Sequence, residues 1–298
     1  MNRVLACVDD SPRATAVCDY GIWAASLLEV KLQFLHVLDR HPERASLADY
    51  SGALGMDAQE SLLEQLSTLD EERSRLAQEQ GRQILQAARN RAEAAGSKDT
   101  DTLQRHGSLV ETLLDLEPET RLVVIGQQRY SGSTSKWYLD QNAERVVRSL
   151  QRPVMVVDGN FKEPERFVIA FDGSQTGKKM VQMVAASPLL KGLSCHVIAV
   201  GDDNDTQRQN IDWANDTLVN EGFDVVKVVR SGEAEAVLRE YLLEVDADLL
   251  VMGAYGHSRI RHLIMGSTTS RRETHRSFRP TMSVSPGVIM KTPRTLLC

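Results

Sequence analysis

The sequence predicts an α/β protein of two tandem domains, each a parallel sheet with helices between the strands. Three observations carry this expectation. Short apolar runs alternate with stretches of helical periodicity, the order of runs occurs twice, and the runs end on Asp, Gly or Ser, where chains turn. At 298 residues the chain is long for one domain, and length alone suggests about two. Charged residues make up 26% and hydrophobic residues 42%, which is ordinary for a folded globular chain. A net charge of -6 and a pI near 5.7 give no electrostatic case for nucleic acid or an anionic membrane surface. The apolar run at the start is too short for a signal peptide, and no run reaches the roughly 18 residues of a membrane span. Four cysteines, Cys7, Cys18, Cys195 and Cys298, show no CxxC or His-Cys spacing. No nucleic-acid or membrane partner is expected, and a reduced, cytoplasmic protein is the simplest reading.

Arg3 to Val8 reads as a buried strand ending at Asp9-Asp10-Ser11-Pro12. Ala14 to Leu28 has helical spacing, with Val17, Tyr20, Ile22, Trp23 and Leu27 apolar, and Leu32 to Leu38 is a second strand. Arg166 to Ser174 has the same form as the start: an apolar run, then Asp-x-Ser. A helix follows from Lys178 to about Leu190, then the strand Cys195 to Val200. Arg121 to Gly126 matches Asp248 to Gly253 as a third strand in each half, and each is preceded by a helix opened by similar residues, at Gly107 and Gly232. In the first half a helix from Ala143 to Leu150 leads to a fifth strand at Arg152 to Val157. The chain is therefore an internal duplication, with domains at 1–159 and 160–298 and linker composition from Gly159 to Pro164. The pairing of the halves would make an intrachain pseudo-dimer.

The halves differ in length. The first carries about 36 extra residues between Asp9 and Gly126, and they fall between about 41 and 96. Gln59 to Ala95 is rich in Glu, Gln, Arg, Leu and Ala, with Leu62, Leu66, Leu69, Leu76, Ile84 and Ala88 at helical spacing. A long amphipathic helix laid across its own domain is one reading; an arm for a protein partner is the other.

The stretch with chemistry in it is Val251 to His257, running on to Gly266-Ser267-Thr268-Thr269. A buried strand ends in two glycines three apart; nine residues later a Gly-Ser-Thr-Thr opens a helix. Glycine lets the backbone approach closely, and the free N–H groups and dipole of a helix N-terminus favour phosphate. A tight turn with a helix cap is the plainer reading of a glycine pair alone. The second glycine and the hydroxyls at a fixed distance favour an anion site. Neither the Walker loop nor the dinucleotide fingerprint is present. In a parallel sheet with right-handed crossovers, Asp172 and these glycines would share the carboxyl edge, where ligands bind. Asp172 could equally just cap the helix after it.

Gly-x-x-Gly, nine residues, then Gly-Ser resembles the nucleotide-binding signature of the universal stress protein family, and Asp248 to Gly253 and Gly256-His257-Ser258 also match its usual wording. The resemblance runs from about Met1 to Thr269. It implies two tandem five-stranded parallel-sheet domains, adenine-nucleotide alpha hydrolase-like, and a bound adenine nucleotide, ATP or AMP/ADP, with Mg²⁺ as a companion of the triphosphate. It also implies roles: Asp172 at the adenosine, Ala170 and Val200 lining the adenine pocket, Met252 and Gly253 beside the ribose and phosphates, and Gly256, Gly266, Ser267 and Thr268 on the phosphate chain. The first half keeps Asp9, Ser11, Val37 and Gly126 but continues Gln127-Gln128-Arg129, which would crowd a phosphate, so no triphosphate site of the usual kind is expected there. From about Arg271 the tail departs from the family: Ser270 to Ser277 is highly polar, Thr281 to Ser285 is a poor last strand, and Val288 to Cys298 has no counterpart. No Ser-His-Asp order, paired acids or metal-ligand cluster stands near the glycines, and His257 reads as a surface or capping residue. No catalytic or metal-ligating residue is assigned. The family implies slow ATP hydrolysis or self-phosphorylation at most. An ATP-binding regulatory protein of the stress response is the leading expectation, with a non-nucleotide scaffold or a weak ATPase as alternatives and a homodimer as a further form.

Overall fold

The computed structural model describes residues 3–38, 56–127, 141–253 and 287–291; for 56–64, 141 and 287–291 the description is of the backbone alone. The first half contributes β1 (Arg3–Cys7), α1 (Ala14–Leu28), β2 (Lys31–Leu38), α2 (Met56–Ala94), β3 (Thr100–His106), α3 (Leu109–Leu116), β4 (Thr120–Gly126), α4 (Gln141–Ser149) and β5 (Val154–Val157). The second contributes β6 (Arg166–Ala170), α5 (Gln175–Ala185), β7 (Ser194–Val200), α6 (Asp205–Val219), β8 (Val225–Arg230), α7 (Ala234–Glu244), β9 (Leu249–Gly253) and β10 (Gly287–Lys291).

All ten strands form one sheet in the order β3-β2-β1-β4-β5-β10-β9-β6-β7-β8. Pairing is parallel throughout except where β10 meets β5 antiparallel, Ile289 opposite Met155. β6 to β9 thus make the second half's own parallel sheet, and β10 lies parallel to β9 at the seam with the first half. The expected architecture of two parallel-stranded α/β halves is present, the halves joined through β10 into the one sheet, with three corrections. What the sequence marks as the third strand of each half is the fourth. An edge strand precedes it, β3 or β8, and neither reads as a buried run because its residues are mostly half-exposed. In the second half the helix expected to run from Lys178 to Leu190 starts at Gln175, stops at Ala185 and is followed by a one-turn 3-10 helix at Pro188–Leu190. The last strand is Gly287–Lys291, all but its first residue within the stretch, Val288 to Cys298, expected to have no counterpart; Thr281–Ser285 lies outside the described residues.

The central strands are apolar because both faces are covered. One layer packs α1, α2, α5 and α6 on the sheet through Phe34, Leu85, Phe167, Met180 and Leu218. The other packs α3, α4 and α7 through Leu113, Val146, Leu238 and Leu242. The extra length of the first half sits in one crossover, since α2 joins β2 to β3 as α6 joins β7 to β8. The C-terminal half of α2 is anchored by Leu85, Ala88 and Ala92 and by an Arg91–Asp19 ion pair. At Gly81 α2 lies tight against β2 and β3, since a Cβ there would stand 2.6 Å from the His36 ring and closer still to the Gln104 side-chain amide.

The stretch joining the halves is held at both ends. Tyr20 of α1 donates its hydroxyl to the Lys162 carbonyl at 3.4 Å and meets the Phe161 ring edge-on at 4.9 Å. Asp248, 4% exposed, accepts from the Lys162 ammonium at 2.7 Å and from the amides of Glu165 and Arg166 at 2.9 and 3.1 Å. Burial pushes the Asp248 carboxyl up, but these three donors outweigh it and hold the group below the usual carboxylate range.

Candidate functional site

The site is built at the carboxyl edge of β6, where the chain leaves the sheet. Phe171 still donates its N–H to the Ile198 carbonyl at 2.9 Å, so the strand pairing carries the backbone up to Asp172. Asp172 Oδ1 then accepts from the Ser174 amide at 3.0 Å and the Ser174 hydroxyl at 2.6 Å. Ser174 in turn caps α5, its Oγ accepting from the Gly177 amide at 3.0 Å. Two glycines make this turn possible. Gly173 has φ +72° and a Cβ there would stand 2.6 Å from Asn210 Nδ2; a Cβ on Gly177 would stand 2.6 Å from Asp172 Oδ1 and 3.3 Å from the Phe171 ring.

Asp172 Oδ2 is buried and has no hydrogen-bond partner among the described residues. It belongs to the wall of a cleft of about 480 Å³. Ala170, Ile198, Val200 and Leu238 give the cleft its apolar surface; Asp202, Asn204 and Gln207 give it a polar rim. The N-termini of α5, α6 and α7 all lie at this edge, as a parallel crossover requires. Ser174, Asn204 and Glu233 cap them through side-chain oxygens.

Of the expected site residues, Ala170, Asp172 and Val200 line this cleft together. Met252 is buried and pairs with Ala170 across β9 and β6, and Gly253 follows at the strand end with open space around a would-be Cβ. Gly256, Gly266, Ser267, Thr268 and His257 lie outside the described residues. Asn204, Gln207, Leu238 and Gly177 were not marked by the sequence. Gly177 alone left a signal, a glycine three residues past a Ser cap in a stretch of good helix formers.

The first half repeats the geometry in reduced form. Asp9 Oδ1 accepts from the Ser11 amide at 3.0 Å, and Cys7, Asp9, Leu35, Val37, Leu109 and Ile125 surround a space of about 170 Å³. Here α1 begins at Ala14 without a side-chain cap. Arg13 lies against Gly126, so close that a Cβ on that glycine would stand 3.0 Å from the Arg13 Cβ, and its guanidinium pairs with buried Asp158 at 3.3 Å. Gln127 is buried, and Gln128 and Arg129 lie outside the described residues. The crowding at this edge that the structure shows thus comes from Arg13, at the start of α1, and from Val17 within it.

Among the described residues there is no group of three His, Cys, Asp or Glu that could hold a metal ion, and no helix long and apolar enough to cross a membrane. Burial, aided by Asp9, pushes the Cys7 thiol up to about 12, and burial first of all does the same to Cys18 and Cys195, so none of the three is a thiolate at neutral pH. His196 is buried and bonded through Nδ1 to the Tyr241 hydroxyl at 2.7 Å; burial and then Arg166 lower its pKa, which keeps the ring neutral. It sits on β7 facing α7, as a core histidine with its partner supplied.

Fold and cleft together define a duplicated, doubly wound α/β protein with its ligand-sized space at the carboxyl edge of the second half. Comparison with known proteins makes this specific. The universal stress protein family model matches residues 1–158 and 201–272. The chain is 32% identical over 274 residues to the universal stress protein Slr1230 of Synechocystis sp. (strain ATCC 27184 / PCC 6803 / Kazusa), covering 91% of this chain and 96% of that protein. Among solved structures it resembles a universal stress protein from Archaeoglobus fulgidus DSM 4304, with a TM-score of 0.66, 16% identity and 98% of each chain covered. It also resembles the functionally unknown protein PA1789 from Pseudomonas aeruginosa PAO1, with a TM-score of 0.57, 13% identity and 98% and 93% covered. At such identities the structural likeness carries the fold alone. The chain belongs to the universal stress protein family, as a tandem member. Residues 159–200, which include Ala170, Asp172 and Val200, fall between the two matched regions. For Asp172 the case rests on its register with Asp9 and on the local geometry.

Proposed function

We propose that the second half binds an adenine nucleotide and that the protein acts as a nucleotide-loaded regulator in the stress response, with domains divided at 159/160. One observation carries the reading: a buried carboxylate oxygen, Asp172 Oδ2, has no partner among the described residues and stands in the wall of a cleft with an apolar patch beside it and a polar rim. A buried acceptor without a donor is costly, and a ligand N–H or O–H placed there removes that cost. An aromatic base against Ala170, Ile198 and Val200 with an amino or hydroxyl donor at Asp172 meets both demands. The phosphates then fall to Gly253, Gly256, Gly266, Ser267 and Thr268, whose order along the chain suits a backbone amide cradle. Met252 backs the base through its pairing with Ala170. Magnesium, carried by the phosphates, is part of the proposal only as a companion of ATP. Hydrolysis is not assigned to any residue.

The test is calorimetry with ATP, ADP and AMP, together with mass spectrometry of any nucleotide that copurifies. Gly256→Asp and Gly266→Asp should abolish phosphate-dependent affinity through like-charge repulsion and lost amide access. Unchanged affinity in both variants, or no affinity for any adenine nucleotide in the parent, refutes this site and leaves the scaffold reading.

A further inference from the structure

The N-terminal part of α2 carries an apolar face that its own domain does not use. Gly81, Leu85, Ala88 and Ala92, the residues buried against the sheet and α1, share one stripe of the helix. Leu62, Leu66, Leu69 and Leu76 share another, turned from the first by roughly 115° at 3.6 residues per turn. The sequence reading merges both into a single amphipathic face; the burial separates them. Every residue from Gln65 to Leu76 is exposed, and Leu66, Leu69 and Leu76 keep 38%, 49% and 70% of their surface. The leucines fall on alternating four- and three-residue steps, at 62, 66, 69 and 76, with Arg73 at the remaining step. That is the spacing of a coiled-coil seam. Charge is divided along the same helix. Residues 56–72 hold six acidic side chains and no basic one; residues 73–94 hold five arginines against two glutamates. Exposed Arg73 and Arg75 make no ion pair among the described residues.

We propose that this stripe docks antiparallel against the same stripe of a second copy of the chain. The charge division selects both occupant and direction. Parallel arms would set six acids beside the same six acids. With Leu66 of one arm facing Leu69 of the other, antiparallel arms bring Arg73 level with position 62, between Glu60 and Glu64 of the opposite arm, and Arg75 level with Glu60. The single polar step at Arg73 then meets Leu62 with acids on either side, which fixes the offset as a polar seam residue does in other coiled coils. The seam from Leu62 to Leu76 spans about four turns, roughly 21 Å. A contact of that size sits at the small end of specific interfaces, so the association is weak and concentration-dependent.

Sedimentation velocity of the full chain from about 1 to 100 µM, at about 50 and 500 mM salt, reads it out. A dimer is expected that weakens several-fold at the higher salt. Leu69→Asp and Leu76→Asp should each raise the dissociation constant at least about tenfold with circular dichroism unchanged, since both sites are exposed. Leu243→Asp, at an equally exposed leucine on α7, should leave it unchanged. In a Cys298→Ser background, a mixture of Leu66→Cys and Leu69→Cys chains should form disulfide-linked dimers on mild oxidation, and neither variant alone should. A monomer throughout the range, a dimer indifferent to Leu69→Asp, tighter association at high salt, or efficient cross-linking of Leu66→Cys with itself would each overturn the proposal.

Discussion

Gly177→Ala is the sharpest test of how the cleft is assembled. In an ordinary helix this change stabilises, by about 1 kcal/mol, because alanine loses less backbone entropy. Here the new methyl would stand 2.6 Å from Asp172 Oδ1, well inside contact, and 3.3 Å from the Phe171 ring. The carboxylate must retreat, and with it go the 2.6 Å bond from the Ser174 hydroxyl and the geometry of the cap on the Gly177 amide. Each such bond is worth about 1 kcal/mol, so the loss of two outweighs the helix gain and leaves a net cost of about 1 kcal/mol. The first half shows the relaxed alternative. There the corresponding residue is Ala14, the helix starts two positions later in register, and Ser11 does not cap it. Urea denaturation of four proteins closes the cycle: parent, Gly177→Ala, Asp172→Ala and the double variant. With the carboxylate gone, the Gly177→Ala change should turn from destabilising to stabilising by about 0.5–1 kcal/mol, a coupling of about 2 kcal/mol. Nucleotide affinity, where present, should fall in the single variant. A Gly177→Ala protein more stable than its parent, with no coupling to position 172, would refute the steric argument and with it the claim that glycine seats Asp172.

Other outcomes follow from the same structure. Asp248→Asn should destabilise by about 1–3 kcal/mol at pH 7 through loss of the charge that Lys162 and two amides satisfy. Because the folded carboxyl lies below its unfolded value of about 3.9, its contribution is present above about pH 4 and is lost as pH falls further, so parent and variant should converge in acid on a urea series. His196 has the opposite charge type: its folded pKa lies below the unfolded value near 6.5, the unfolded chain binds the extra proton, and stability should fall as pH drops through about 6.5. His196→Asn should flatten that part of the pH profile. Tyr241→Phe, which leaves His196 Nδ1 without its 2.7 Å partner, should cost about 1–2 kcal/mol by thermal or urea melts. Gly173→Ala combines φ +72° with a 2.6 Å approach to Asn210, and should lower stability by about 1–2 kcal/mol or more.

The duplication and the α/β class were readable because they depend on local pattern. A strand buried on both faces must be apolar for its whole length, as in β1, β4, β6, β7 and β9, and such runs stand out between amphipathic helices. The edge strands β3 and β8 were missed for the same reason reversed: with one flank open to water, Thr100–His106 has no reason to be apolar. Asp172 could be placed because topology alone sends the ends of parallel strands to one edge, whereas Ala170 and Val200 were reached only through the family resemblance. Residue order was enough for this chain of elements, its repetition, and the glycine spacing that led to the family. Tertiary structure alone decided which side chains close the cleft and which strand joins the halves. Asn204, Gln207 and Leu238 come from later crossovers, far along the chain from Asp172, and the place of β10 between β9 and β5 depends on a pairing no local window contains. Tertiary packing also showed that only part of the apolar surface of α2 belongs to its own fold, since burial is a property of what lies opposite a residue and not of the residue itself.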